Sequence, residues 1–431
     1  MYGIKHVDLE FVKNVIRNFK AIDEYQYVPI EKALGRVLAE DIYSTINNPQ
    51  RDIAHFDGYA IKFNDVARAS PKKPMAVRLR IIGEIYPGEI KDLRIDNGEA
   101  VYVATGAFIP QGADTLVPIE RVSVFEDFIE IVHPPPMKEW HIIKSCSDFS
   151  KGDLIIKRGR VLRPIDIEVL KYIGIEYVKV LRRLKVGILS VGNELVMNRA
   201  ELVQGKCIST RYLLLEGFLK TLNVETLNLG IVKDDLEQIK SKITKSLDKI
   251  DILVVIGGAS VGKKDLVHKA IESLDNKGVI FHGIKIKPGR QTGLGIVYKK
   301  PIIMLPGLVQ STYVGMHVVL GPLIERIQNI NEQSSYITHI LKVKCLEDFE
   351  EKTFPAFIRI VFAEIVKHNF REIIARPFKK ESFAYAPIVK SDLALILPPM
   401  KTHIGSYEEV PALSTSHVNW LIPLTELLKE H

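Results

Sequence analysis

Residues 251–265 read DILVVIGGASVGKKD. An apolar, β-branched run from Asp251 to Ile256 passes into Gly257, Gly258, Ala259, Ser260, Val261 and Gly262, and then into a helix expected to begin near Asp265. Glycines at a strand-to-helix turn let backbone amides approach an anion closely, and the helix N-terminus adds partial positive charge. The same turn without a ligand is a tight connection, and this segment alone leaves both readings open. It is neither the P-loop pattern nor GxGxxG, which argues against Walker-type ATP hydrolysis and NAD binding.

Working outward, 186–191 reads as a strand, 211–222 as a helix, 224–229 as a strand and 235–249 as a helix. In the last of these Leu236, Ile239, Ile243 and Leu247 recur at the helical interval, with Asp234 or Asp235 as N-cap. Strands at 279–286, 294–298 and 301–305 and a helix over 310–328 follow. This alternation predicts a parallel sheet with helices on both faces. Upstream, Val7, Phe11, Val12, Val15, Ile16 and Phe19 form one stripe of a helix over 7–22, and a second helix is expected at 29–38. After Asn47, Asn48 and Pro49 come short β-type runs at 77–85, 100–104, 115–119 and 128–132, ending at the prolines 134–136. Helix and strand return over 161–181, as though a first domain resumed after an insertion. Short apolar runs after Ser335 read as a final β-rich domain.

The 431 residues exceed what one core organises, so two to four domains are expected. No apolar run approaches the roughly 18 to 20 residues of a spanning helix. The opening MYGIKHVDLEFV lacks the basic-then-apolar order of a secretory leader, so a cytoplasmic, non-membrane protein is expected. Cys146, Cys207 and Cys345 are far apart, which suggests neither disulfides nor a cysteine zinc site. Twelve histidines without HExxH spacing leave any metal to arrive with the substrate. A net charge of +7 suits an anionic ligand, but cations and carboxylates are interspersed and nucleic acid is not expected.

Lys285, Lys287 and Arg290 flank a Pro288-Gly289 turn, an arrangement that fits either an oxyanion site or a solvated basic turn. Pro306 and Gly307 end another apolar strand and bring backbone toward the sheet's carboxyl-end crevice. Asp57 before Gly58, Asp148, Glu194 and Asp265 are loop carboxylates suited to holding Mg²⁺ or to capping turns and helices.

Together these stretches resemble the molybdopterin molybdenumtransferases, the family that includes the C-terminal domain of gephyrin. The matching segments are ALGRVLAEDI (33–42), FDGYAI (56–61), ATGAFIPQGADTLVPIE (104–120), KVGILSVGNELV (185–196), LGIVKDD (229–235), GGASVGKKD (257–265), FHGIKIKPGR (281–290) and MLPG (304–307). The resemblance implies a multidomain α/β and β protein. An elongated α+β domain would span 1–45 and 141–181, with an inserted β-rich domain at 46–140. A central three-layer α/β domain similar to molybdopterin adenylyltransferases would span 182–332, followed by a C-terminal β domain at 333–431. It also implies a homodimer whose cleft lies between the third domain of one subunit and the second domain of its partner. The implied reaction takes adenylylated molybdopterin and molybdate or tungstate, with Mg²⁺ as cofactor, and releases AMP.

Carried over by motif, Asp57 and Thr105 face the cleft, while Glu194 and Asp265 act in catalysis and hold Mg²⁺ near the pyrophosphate. Gly257, Gly258, Ser260, Gly262, Pro306 and Gly307 line the substrate. Lys287, Pro288, Gly289 and Arg290 form the segment that binds oxyanion, joined by Arg359 in the run Ala356, Phe357, Ile358, Arg359. Departures from the family pattern are Phe56, Asn193, Arg290, Ile143, the triplet Ser209, Thr210 and Arg211, Leu308 with Val309, and Ser382 with Phe383. They keep a second reading in view, a paralogue that binds the pterin cofactor or acts as a scaffold without inserting metal. Adenylyltransferase activity is a third.

Overall fold

The computed structural model describes residues 6–67, 76–258, 266–275, 277–330, 340–369, 371–379, 382–415 and 420–429. Contacts divide the chain into one unit of residues 41–157 with 169–175, and another of residues 1–40, 158–168 and 176–431.

The larger unit is built on six strands, β1 (Lys185–Val191), β2 (Glu225–Val232), β3 (Ile252–Ile256), β4 (Val279–His282), β5 (Gly293–Val297) and β6 (Lys300–Leu305). Their order is β2-β1-β3-β6-β5-β4. The first four are parallel, as expected, but β5 runs antiparallel to both of its neighbours, β6 and β4. The cause lies between β5 and β6, where Tyr298 and Lys299 both take positive φ (49° and 68°). A two-residue hairpin turn of this hand can only reverse the chain.

Period-two alternation sends Ile252, Val254 and Ile256 to one face of β3 and Leu253 and Val255 to the other. The first face packs on α1 (Arg211–Thr221), through Leu215, Phe218 and Leu219, and on a long helix over 309–327. The second packs on α2 (Leu236–Leu247) and α3 (Leu266–Leu274), through Ile239, Ile243, Val267 and Ile271. The result is a three-layer α/β arrangement. Asp235 caps α2, accepting from the Gln238 amide at 2.8 Å.

Strands Leu341–Cys345, Ile358–His368, Ile373–Pro377, Leu393–Leu397 and Glu409–Ser414 close into a sheet of their own, because Leu393–Leu397 pairs with both Glu409–Ser414 and Ile358–His368. Val343, Val361, Ala375, Leu395 and Val410 fill one cluster. Ile358, Ile360, Phe362 and Ile396 instead join the apolar cluster under β3 and the 309–327 helix. Ile286–Lys287 extends this sheet, pairing in parallel with Ile358 and Arg359. The β-rich segment therefore shares its core with the α/β sheet.

Two expected helices differ. The N-terminal one is confined to Leu9–Arg17, because Asp8 caps it by accepting from the Phe11 amide at 2.8 Å and Val7 pairs with Ile284 instead. The helix expected at 29–38 is a single 3-10 turn, Ile30–Lys32; Gly35 at φ 71° breaks it, and Val37 and Leu38 bridge to Val161 and Val180.

In the smaller unit six strands are ordered Thr115–Pro118, Gly58–Ile61, Glu99–Val103, Val77–Ile85, Phe128–Ile131 and Ser123–Val124. Alternation again makes two clusters, Ala60, Val101, Val103 and Leu116 in one and Tyr59, Ile61, Ala100 and Val117 in the other. Among the described residues no helix is long and apolar enough to cross a membrane.

At the start of β3 the Asp251 carboxylate accepts from the Arg182 guanidinium at 2.7 and 2.8 Å and from the Lys185 amide at 2.8 Å, while Arg182 also holds Glu24. Burial pushes the Asp251 carboxyl up, but Arg182 and the Lys185 amide more than offset this and keep it below its ordinary value. Asp251→Asn, which leaves a partly buried guanidinium short of its counter-charge, is expected to lower stability by about 2 kcal/mol in urea unfolding at pH 7. An unchanged midpoint would contradict this.

Candidate functional site at the carboxyl edge of the sheet

Strands β1, β2, β3 and β6 end level, with Val191 opposite Val232, Ser190 opposite Ile256, and Ile256 opposite Leu305. Each strand then opens into a loop at the same edge, where ligands bind in open α/β sheets. Gly257 has φ 82°, and a side chain there would meet the Val191 carbonyl oxygen at 2.4 Å. Its amide donates to the Leu305 carbonyl at 3.0 Å. Pro306 is buried and Gly307 exposed, and a Cβ built on Gly307 would lie 4.0 Å from the Gly257 Cα. The structure thus brings Gly257, Gly258, Pro306 and Gly307 to one place, with Gly307 exposed and Gly257 and Gly258 half-buried. Ser260, Gly262 and Asp265 lie outside the described residues.

Glu194 is exposed and folds back, its carboxylate oxygens 2.7 Å from where a Gly192 Cβ would stand. Asn193 ties the β1 loop to the β2 loop through Asp234, with bonds of 3.2 and 3.1 Å in opposite directions. Three other departures are placed by the fold. Ser209 donates to Ser190 inside the core at 3.1 Å, Leu308 precedes the long helix, and the Ser382 carbonyl accepts from the Gln310 amide at 3.2 Å.

A second constellation forms where Ile286–Lys287 meets the closed sheet, with Lys287 and Arg359 as register partners. Lys287 donates to Glu351 at 2.9 Å and to the Thr353 hydroxyl. Arg359 is 1% exposed; its Nη2 donates to the Thr353 carbonyl at 2.8 Å, and its Nε has no partner. Burial pushes the Arg359 guanidinium down, and Glu351 pulls it back up. Arg290 stacks on Phe354 with its guanidinium carbon 4.7 Å from the ring centre. Pro288 and Gly289 are buried and Lys287 is half-buried, so this is a packed cationic site and not a solvated turn. Burial raises the Glu351 carboxyl, but bonds from Thr353 and Lys287 outweigh it and bring it to about 2.

In the smaller unit, Asp57 and Thr105 are in direct contact, both exposed. The Asp57 carboxylate accepts from the Thr105 amide and hydroxyl, each at 2.7 Å, and these bonds hold its carboxyl below the ordinary value. Gly58 is required because a Cβ would lie 2.3 Å from the Val117 carbonyl oxygen. Asp148 is engaged structurally, accepting from Asn48 at 2.7 Å. Sequence reading missed Glu351, Thr353 and Tyr385, since their partners lie on other strands and loops.

Among the described residues no group of three or more His, Cys, Asp or Glu side chains is placed to hold a metal alone. Among the described residues the edge offers the carboxylates of Glu194 and Asp234, the latter accepting from the Asn193 amide.

Comparison with known proteins places the chain in a family. Residues 187–326 match the probable molybdopterin binding domain, and residues 8–174 match the MoeA N-terminal region, domains I and II. A molybdopterin molybdenumtransferase of Haemophilus influenzae is 30% identical over 303 residues, covering 70% of this chain and 73% of that protein. A putative molybdopterin biosynthesis protein of Methanocaldococcus jannaschii is 33% identical over 308 residues, covering 67% and 73%. The crystal structure of a molybdopterin biosynthesis MoeA protein from Pyrococcus horikosii superposes with a TM-score of 0.75 at 31% identity, covering 96% of this chain and 100% of that one. The chain belongs to the molybdopterin molybdenumtransferase family, transferases of molybdenum cofactor biosynthesis.

Two outcomes follow. Gly257→Ala combines left-handed strain with a backbone clash and is expected to cost roughly 3 kcal/mol or more. Gly230→Ala, at φ 82° in open space, is expected to cost only about 1 kcal/mol by the same urea assay. Equal costs would remove the close approach at the edge. Because the folded-state value of Glu351 is depressed, its stabilisation is present above the unfolded-state value near 4.3 and is lost as pH falls toward about 2. The stability difference between the parent protein and Glu351→Gln is therefore expected to shrink on acidification from pH 5 to pH 2.5, and a constant difference would contradict the assignment.

Proposed function

We propose that this protein inserts molybdate or tungstate into the dithiolene of adenylylated molybdopterin and releases AMP. The observation that carries this reading is the Lys287–Arg359 site, where a buried guanidinium keeps an unpartnered Nε beside a half-buried ammonium. A buried donor without an acceptor is costly, and a tetrahedral oxyanion relieves that cost while meeting both charges. Arg290, fixed over Phe354, is a third cation for the same dianion.

In this reading the backbone at Gly258 and Gly307, beside the turn at Gly257, receives the phosphate oxygens of the pterin substrate. Ser260, Gly262 and Asp265 belong to the same loop by motif. Glu194, with Asp265, would hold Mg²⁺, which when bound neutralises charge on the pyrophosphate as the link to AMP opens. Asp57, kept ionised by Thr105, supplies a fixed negative charge and proton acceptor to the substrate. A homodimer is part of the reading, and light scattering should return twice the chain mass; a monomer would contradict it.

The test is AMP release from adenylylated molybdopterin with Mg²⁺, with and without molybdate or tungstate. Release stimulated by the oxyanion is expected, with Lys287→Gln raising the molybdate concentration for half-maximal release by about tenfold or more. Substrate that binds but is never hydrolysed would replace this reading with that of a cofactor-binding paralogue.

A further inference from the structure

Arg211 begins α1 at the carboxyl edge of the sheet. Its Nε donates to the Gly307 carbonyl at 3.1 Å, and its Nη1 donates to the Thr210 hydroxyl at 3.1 Å and to the Tyr385 hydroxyl. The guanidinium carbon lies 5.0 Å from the centre of the Tyr385 ring, so the planar group is held by stacking as well as by hydrogen bonds. Tyr385 is anchored in turn, since its segment meets the long helix where Gln310 donates to the Ser382 carbonyl at 3.2 Å and, through Nε2, to the Ala384 carbonyl at 3.0 Å.

Among the described residues every partner of this guanidinium is neutral. Among the described residues Arg211 forms no ion pair, and its Nη2 has no acceptor. The charge is half-buried and has no ionic partner among the described residues, and its anchor Gly307 lies beside Gly257 at the glycine turn. A carboxylate partner would have cancelled the positive potential here; two hydroxyls and a carbonyl orient the group and leave its charge available.

We infer that Arg211 is a phosphate-binding residue of this edge, contacting a pyrophosphate oxygen of the substrate through Nη2, and that Tyr385 is its positioning residue. The inference deepens the proposed function and rests on it for the identity of the substrate. It turns a departure from the family pattern into a gain, because the position contributes a cation to phosphate recognition. Burial pushes the Tyr385 phenol up, but its bonds to Thr210 and Arg211 more than offset this and hold it below its ordinary value.

The experiment is titration calorimetry of inorganic pyrophosphate and AMP against the full-length protein and its Arg211→Gln and Tyr385→Phe variants, with thermal unfolding of each. Arg211→Gln keeps a donor for the Gly307 carbonyl and loses the charge. It is expected to weaken pyrophosphate binding by about tenfold or more, at an unchanged unfolding temperature and unchanged tungstate affinity. Tyr385→Phe keeps the stacked ring and is expected to weaken pyrophosphate a few-fold and to raise KM for adenylylated molybdopterin without lowering kcat. Spectrophotometric titration of the phenol should move Tyr385 upward in Arg211→Gln, a change that loss of bulk packing alone does not produce. Undiminished pyrophosphate affinity in a folded Arg211→Gln variant, or no pyrophosphate binding by the parent protein, overturns the inference. Failure of the parent protein to release AMP, with pyrophosphate binding still lost in Arg211→Gln, overturns the proposed reaction and leaves the anion site standing.

Discussion

The carbonyl oxygen of Val191 sits where a side chain at residue 257 would have to be. That close approach lets β1, β3 and β6 end at one level and lets the chain leave β3 in the left-handed region, with the Gly257 amide returned to Leu305. A bulkier residue would push the turn outward, separating Gly257 from Gly307 and disturbing the carbonyl that orients Arg211. The edge therefore depends less on any one charged group than on the absence of a Cβ at the point where two strands meet.

Charge is handled in two ways across the larger unit. Arg182 and Lys287 are paired with carboxylates, Asp251 and Glu351, which stay ionised because hydrogen bonds outweigh the cost of burial. Arg211 and Arg359 are instead held by carbonyls and hydroxyls, which fix the guanidinium without cancelling it. The Arg182–Asp251 pair supports the fold, whereas Lys287, held beside Arg359, and the two guanidiniums face an incoming anion. Thr353 joins the two patterns, since its hydroxyl serves Lys287 and Glu351 while its carbonyl serves Arg359.

Much of the fold was readable because local pattern and burial agree. Ile252 to Ile256 alternate between two cores, and Asp235 caps the helix whose apolar stripe follows it. The reversal of β5 against β6 was not readable, since the residues at positive φ are Tyr298 and Lys299, neither of which advertises such a turn. The stretch 29–38 misleads because Ile30, Ala33 and Val37 have helical spacing but are buried around a turn at Gly35. At the edge, glycines and prolines mark where the backbone turns, and KPGR carries Lys287 and Arg290. The partners that tune them, Glu351, Thr353 and Tyr385, are brought in by strand register and loop docking that no local motif encodes.

The central claim is that substrate phosphates are bound on backbone exposed at the carboxyl edge of the sheet. Amide hydrogen exchange of the protein with and without adenylylated molybdopterin tests it directly. Slowed exchange in peptides spanning Gly257–Gly258 and Gly307–Leu308 is expected. Exchange there that is unaltered by saturating ligand, with protection confined to other segments, would contradict it.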